Sequence, residues 1–273
     1  MIKVGLTNWA KHPDLLDKKN IGLADYEKFY ACVEVDSFFY GIKDASVVKK
    51  WHDQVDDDFE FVIKASKEIT RQSEVSNDTV KKECTKLIES LKPMKHKLTG
   101  VLLQFPAFFE VDKENIIHLR NVFEYLKQLP LIVEFRHQSW YEEAYYKRTV
   151  NLMREYNVTL AMIDEPQVGS GAVPFDIAIT NNRLAFFRFH GRNTIGWKTP
   201  TGFESGARTN YCYSTNELEE LAQSVKEVSK KVQNTIVIFN NNGGLDANKN
   251  AVEFQKILGL EFKTKPSEQI SLL

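Results

Sequence analysis

Residues 131–140 read Leu-Ile-Val-Glu-Phe-Arg-His-Gln-Ser-Trp. The first six have the apolar, β-branched and aromatic character of a strand. Side chains alternate across a strand, so Glu134 and Arg136 share one face while Val133 and Phe135 share the other. Burying an acid and a base unpaired on an otherwise apolar strand costs on the order of several kcal/mol per ion. The two must pair with each other, meet other polar groups, or line a wet cavity.

Working outward, the chain predicts seven further strands: Ile2 to Thr7, Cys32 to Phe39, Phe59 to Ala65, Thr99 to Phe105, Val158 to Asp164, Leu184 to His190 and Thr235 to Asn240. Helical spacing of apolar residues predicts helices between them, over about 23–30, 45–54, 77–94, 112–128, 142–156, 214–232 and 247–258. Asp112 and Ser214 have the character of N-caps, and Glu217 completes a capping-box spacing with Ser214. Strands alternating with helices require a parallel sheet with helical crossovers. Eight such units predict a closed (β/α)8 barrel of TIM type over residues 1–260, with 261–273 as a C-terminal tail. An open doubly wound sheet is the alternative; no GxGxxG follows the first strand and no P-loop occurs.

The parity seen at Glu134 and Arg136 recurs. Polar residues near the strand ends fall on one face: Glu34 and Asp36, Lys64, Gln104, Asp164, Arg188 and His190, and Asn240. The intervening residues are apolar, among them Val33, Val35, Ile63, Phe187, Phe189, Val237 and Phe239. In a closed barrel the outer face packs under helices, and the inner face near the C-terminal rim is where active sites are built. Each member also has a structural reading, as half of a buried ion pair such as Glu134–Arg136 or Lys64–Glu34.

The chain has 273 residues, 42% hydrophobic and 27% charged, with a net charge of −1, so it carries no global electrostatic footprint for nucleic acid or anionic membrane. Cys32, Cys84 and Cys212 form no CxxC pair and are expected to be reduced thiols. The N-terminus enters a strand pattern without a signal-peptide h-region, and no apolar run approaches a membrane span, so a cytoplasmic location and no membrane partner are expected.

The succession of segments resembles the YecE-like family, also termed domain of unknown function 72. The resemblance is carried by Val-Glu-Val-Asp-Ser-Phe-Phe-Tyr (33–40), Phe-Glu-Phe-Val-Ile-Lys-Ala (59–65), Gly-Val-Leu-Leu-Gln-Phe-Pro (100–106), Val-Glu-Phe-Arg-His-Gln-Ser-Trp (133–140), Phe-Arg-Phe-His-Gly-Arg-Asn (187–193) and Ile-Phe-Asn-Asn-Asn (238–242). It implies a TIM-type barrel and supplies no activity. Fold-level similarity to barrels that include apurinic-site endonucleases and xylose isomerases suggests a DNA-repair-like role, by analogy alone. Relatives carry an Arg-Tyr-x-Tyr-x-Tyr-like pattern after the seventh strand. Here Ala-Arg-Thr-Asn-Tyr-Cys-Tyr (207–213) retains Arg208, Tyr211 and Tyr213 at altered spacing.

The ring chemistry points to an anionic, phosphate-bearing substrate and a hydrolase-type or nuclease-type reaction. Lys64, Arg136 and Arg188 would hold the anion, with Glu34, Gln104 and Asn240 as further substrate contacts. Glu134, His190 and Asp164 are the candidates for acid–base catalysis. Trp140, Tyr40, Trp197 and Tyr211 could stack on a ring, and the Gly169–Gly171 and Arg192–Tyr213 loops would cover the site. No HxH or HExxH spacing occurs, so no resident metal or other cofactor is expected, with room left for a weakly held divalent ion arriving with phosphate. The alternative is a non-catalytic barrel that binds a phosphorylated metabolite or nucleic acid.

Overall fold

The structure, a computed structural model, describes residues 1–261 apart from 11, 13–14, 17–19, 170 and 200–205. All its described strands are parallel: β1 (Ile2–Thr7), β2 (Cys32–Val35), β3 (Glu60–Lys64), β4 (Leu98–Gln104), β5 (Leu131–Glu134), β6 (Thr159–Leu160), β7 (Met162–Asp164), β8 (Leu184–Phe189) and β9 (Asn234–Phe239), in the order β6-β5-β4-β3-β2-β1-β9-β8-β7. β6 and β7 are two pieces of one strand broken at Ala161. β6 pairs with β5 and β7 with β8, so together they carry the sheet round and close it. Ala161 stays in the seam through its N–H, which donates to the Val133 carbonyl at 2.8 Å. The expected eight-stranded TIM-type barrel is the observed architecture.

Outside the sheet lie α1 (Leu23–Tyr26), α2 (Ala45–Asp53), α3 (Asn77–Leu91), α4 (Lys113–Leu126), α5 (Glu143–Glu155), α6 (Thr194–Lys198), α7 (Thr215–Ser229) and α8 (Asp246–Leu258). Asp112 caps α4 by accepting from the Asn115 N–H at 2.7 Å, and Ser214 with Glu217 forms the capping box of α7. Several boundaries differ from expectation, among them those of β2 and α3. β2 stops at Val35 and Asp36–Phe39 forms a 3-10 turn, since ladder pairing with β3 ends at Val35–Ile63. α3 stops at Leu91 because Pro93 cannot donate to a continuing α-helix. Between β7 and β8 the described residues contain no helix. The expected tail lies outside the described residues beyond Glu261.

Strand alternation divides the core in two. Val33, Phe61, Val133, Phe187 and Val237 face outward under the helices. Cys32, Val62, Leu102, Ile132, Phe186 and Ile236 face inward and fill the barrel axis. This apolar plug makes the barrel a packed core. The next inward positions toward the C-terminal end are polar, and they rest on the plug as a floor.

Candidate functional site

Arg188 stands on β8 directly above the plug, 2% exposed. Its guanidinium forks onto Glu34 of β2: Nη2 donates to Oε1 at 2.7 Å and Nε to Oε2 at 2.9 Å. Nη1 donates to Gln104 Oε1 at 3.0 Å on β4 and to Glu134 Oε2 at 3.1 Å on β5. One side chain thus ties four strands together. Burial opposes the Arg188 charge, yet Glu134 and Glu34 override it and raise the group above the ordinary guanidinium range. Burial pushes Glu34 up as well, and Asp36 adds to this, against the Arg188 guanidinium, whose fork onto both oxygens favours the carboxylate. Arg188 and Gln104 are therefore occupied inside the protein, rather than presented to a substrate as their residue types suggested.

The second tier is built on Arg136, just beyond β5. Nη1 donates to Glu165 Oε2 at 2.7 Å and Nη2 to His190 Nε2 at 2.9 Å. Its Nε lies 2.5 Å from Glu134 Oε1, without hydrogen-bond geometry. Glu134 and Arg136 do pair, as one edge of a larger network. Burial pushes Glu134 up, but Arg136 and Arg188 hold it well below the usual carboxylate range. His190 is fully buried, and burial together with the same two arginines holds it well below the usual imidazole range. It is therefore the neutral ring. Its Nε2 accepts from Arg136, so Nδ1 carries the proton; Asn240 Nδ2, 2.7 Å from Nδ1, is itself a donor, so the amide must turn its oxygen to Nδ1 to accept that proton. Neither Glu134 nor His190 is poised to exchange a proton near neutrality.

Asp164 needs correction. Ile163 points into the barrel with Ala161, which turns Asp164 to the outer side and brings Glu165 inward. Asp164 accepts a fork from Arg192 (Nη2 at 2.7 Å, Nε at 3.0 Å) and a hydrogen bond from the Tyr213 hydroxyl at 2.6 Å. It anchors the segment that follows β8. Glu165, which sequence reasoning passed over, takes its place at the mouth. One carboxylate oxygen faces Arg136 and the other accepts from the Val173 N–H at 2.7 Å. Burial raises Glu165 to about 7, with Arg136 pulling it down and Glu134 pushing it up.

Two cations remain open. Lys64 sits over the Phe39 ring, 4.7 Å from its centroid, and burial lowers it against the pull of Asp36. Arg208 lies over Trp197 at 5.3 Å, and Arg136 lies over the same indole at 5.5 Å. Arg208 Nε is buried without a hydrogen-bond partner, and the guanidinium makes no ion pair among the described residues. Burial and Arg136 both lower it. The aromatic candidates divide. Trp197 is in the site. Trp140 is buried against Phe135 and donates to the Phe109 carbonyl, so it belongs to the core. Tyr211 donates to Glu217, and Tyr40 is 81% exposed. Ser170 and part of the Arg192–Tyr213 loop lie outside the described residues. Among the described residues, Glu27, Asp56 and Asp58 form the one group with metal-ligand spacing, at the opposite end of the barrel.

The family described as "Protein of unknown function DUF72" matches residues 3–271. The chain belongs to the DUF72 family. The UPF0759 protein YunF of Bacillus subtilis is 32% identical over the full length of both chains. The UPF0759 protein YecE of Escherichia coli K12 is 27% identical over 157 residues, which is 55% of this chain and 54% of YecE. A DUF72 crystal structure from Enterococcus faecalis superposes with a TM-score of 0.91 at 36% identity, covering 96% of this chain and 97% of that one. Another from Thermotoga maritima gives 0.80 at 26% identity, covering 95% and 99%. The DUF72 barrel of this chain thus brings together Glu34, Lys64, Gln104, Glu134, Arg136, Arg188, His190 and Asn240 at one end and leaves Asp164 outside that ring. No helix of the described residues is long and apolar enough to cross a membrane.

Proposed function

We propose that the barrel mouth binds the phosphate group of a small substrate through Arg208 and Lys64, with Arg136 adding the second N–H of each Nη, and that Glu165 moves the proton in a hydrolase-type reaction on that ester. The observation that carries the reading is Arg208. Arg208 keeps a buried N–H without a partner among the described residues and shares the Trp197 indole with Arg136, whose charge acts on it, so an anion there would meet two guanidinium groups. Two arginines offer the parallel donors that suit phosphate oxygens. Glu165 supplies acid–base capacity because its proton is held near neutrality. Glu134, His190 and Asn240 position Arg136 and the floor. Asp164, already bonded on both oxygens, has no part in the chemistry.

The test is direct. Arg208→Ala should weaken binding of inorganic phosphate about 10- to 100-fold by calorimetry, the loss of charge-assisted hydrogen bonds, with the unfolding temperature unchanged. Equal affinity in the variant would remove the anion site. The second reading, a non-catalytic binding barrel, draws on how tightly Glu134 and His190 are tied into the network. It predicts phosphate binding with no turnover across a panel of phosphate esters. Were the ligand a nucleic acid, affinity would fall steeply with salt.

A further inference from the structure

We infer that anion binding at the mouth is linked to the uptake of a proton by Glu165. The inference rests on the reading of the mouth as an anion site, and it is carried by the way one guanidinium is shared. Arg136 serves Glu165 through Nη1, contacts Glu134 through Nε, and donates to His190 through Nη2. The two carboxylates have unequal reserves. Glu134 also accepts from Arg188 at 3.1 Å. Among the described residues Glu165 has one charged partner within bonding distance, Arg136, and its other oxygen meets the backbone N–H of Val173.

An anion drawn to Arg208 and Arg136 adds a third negative charge around that guanidinium. Glu165 is the member that yields, because taking up a proton relieves both the repulsion and the contest for Arg136. A protonated Glu165 keeps its bond from Val173 N–H on one oxygen and turns an O–H toward the mouth on the other. The groups facing Glu165 leave it as the titrating member. His190, behind Arg136, is held far below the usual imidazole range. The Tyr141 hydroxyl, buried without a hydrogen-bond partner, is pushed well above the usual phenol range by burial, then by Asp176 and Glu165. Asp164 is turned away onto Arg192 and Tyr213.

Burial pushes the Glu165 carboxyl up to about 7 without an anion. The anion favours its protonated form, so binding is strongest below that pH and weakens as pH rises through it. In chemical terms, the site takes an anion together with a proton, which suits a phosphate ester that must gain a proton on its leaving oxygen.

Sulfate is the probe, because it has no titration of its own between pH 6 and 8.5. Calorimetry at constant ionic strength, in two buffers of different ionisation enthalpy, should show roughly half a proton taken up per sulfate at pH 7 and affinity about tenfold weaker at pH 8.5 than at pH 6. Glu165→Gln should bind sulfate with neither the uptake nor the pH dependence. A carbon-13 titration of the Glu165 carboxyl in the ligand-free protein should give a midpoint near 7. Sulfate binding without proton uptake overturns the linkage, as does uptake that survives in Glu165→Gln or a Glu165 midpoint in the ordinary carboxylate range. Absence of sulfate binding at every pH overturns the anion site itself, and the linkage with it.

Discussion

Arg188→Met will lower the unfolding free energy by about 3–5 kcal/mol, the usual loss when one partner of a buried ion pair is removed. The unfolding temperature should fall by roughly 10 °C, at about 2–4 °C per kcal/mol for a chain of this size. Methionine fills much of the volume, so the loss comes from what is stranded. Glu34 loses donors to both oxygens, and Glu134 and Gln104 each lose one. Arg188→Lys should recover little, because an ammonium cannot fork across Glu34 while reaching β4 and β5. Adding Glu34→Gln to Arg188→Met should restore part of the loss by removing the stranded charge. Urea unfolding of the four proteins checks this. A single-variant loss below about 1 kcal/mol would show that the network is solvated.

Gly5→Ala should be nearly as damaging, by about 3 kcal/mol, the upper range for overpacking in a core. Gly5 faces inward on β1 beside Cys32 of β2. A Cβ there would stand 2.2 Å from the Cys32 carbonyl oxygen and 2.8 Å from its Sγ. The carbonyl cannot retreat, because it accepts at 2.9 Å from the Tyr26 hydroxyl, which in turn accepts from the Leu6 N–H and so bridges the two strands. Cys32→Ala should therefore rescue little in the double variant, as the tighter contact is backbone. Full rescue by Cys32→Ala, read from the urea midpoint, would place the clash at the thiol instead.

The ring of polar strand ends was legible in the sequence wherever one face of a strand was polar and the other apolar, as at Glu34, Lys64, Gln104, Glu134 and Arg188. It was not legible on the strand from Thr159 to Asp164. Leu160, Ala161, Met162 and Ile163 are apolar on both faces, since both are buried, and parity then gives no reading. Counting parity from the strand's polar end selects Asp164, and the break at Ala161 leaves Glu165 as the inward residue. Trp140 was placed at the mouth for a related reason. The alternation that located Glu134 ends at the 3-10 turn over Gln138–Tyr141, and the turn sends the indole back to Phe109. Partner choice was out of reach. Arg188 finds Glu34 across 154 positions of chain, and Arg208 is fixed by Trp197 in a segment whose course no periodicity describes.

The break at Ala161 has a consequence for how the barrel breathes. β6 holds β5 through two residue pairs, against six between β8 and β9. Amide exchange should thus be fastest along this closure, with Ala161, whose N–H donates to Val133, losing protection before any other barrel-strand amide. Glu165 follows the same strand after β7 by one residue. Each opening of the closure would wet its carboxyl and draw its titration toward that of a free side chain. The rate at which the mouth gains and loses its proton would then be set by the fluctuation of a two-residue ladder rather than by diffusion through the loops above it.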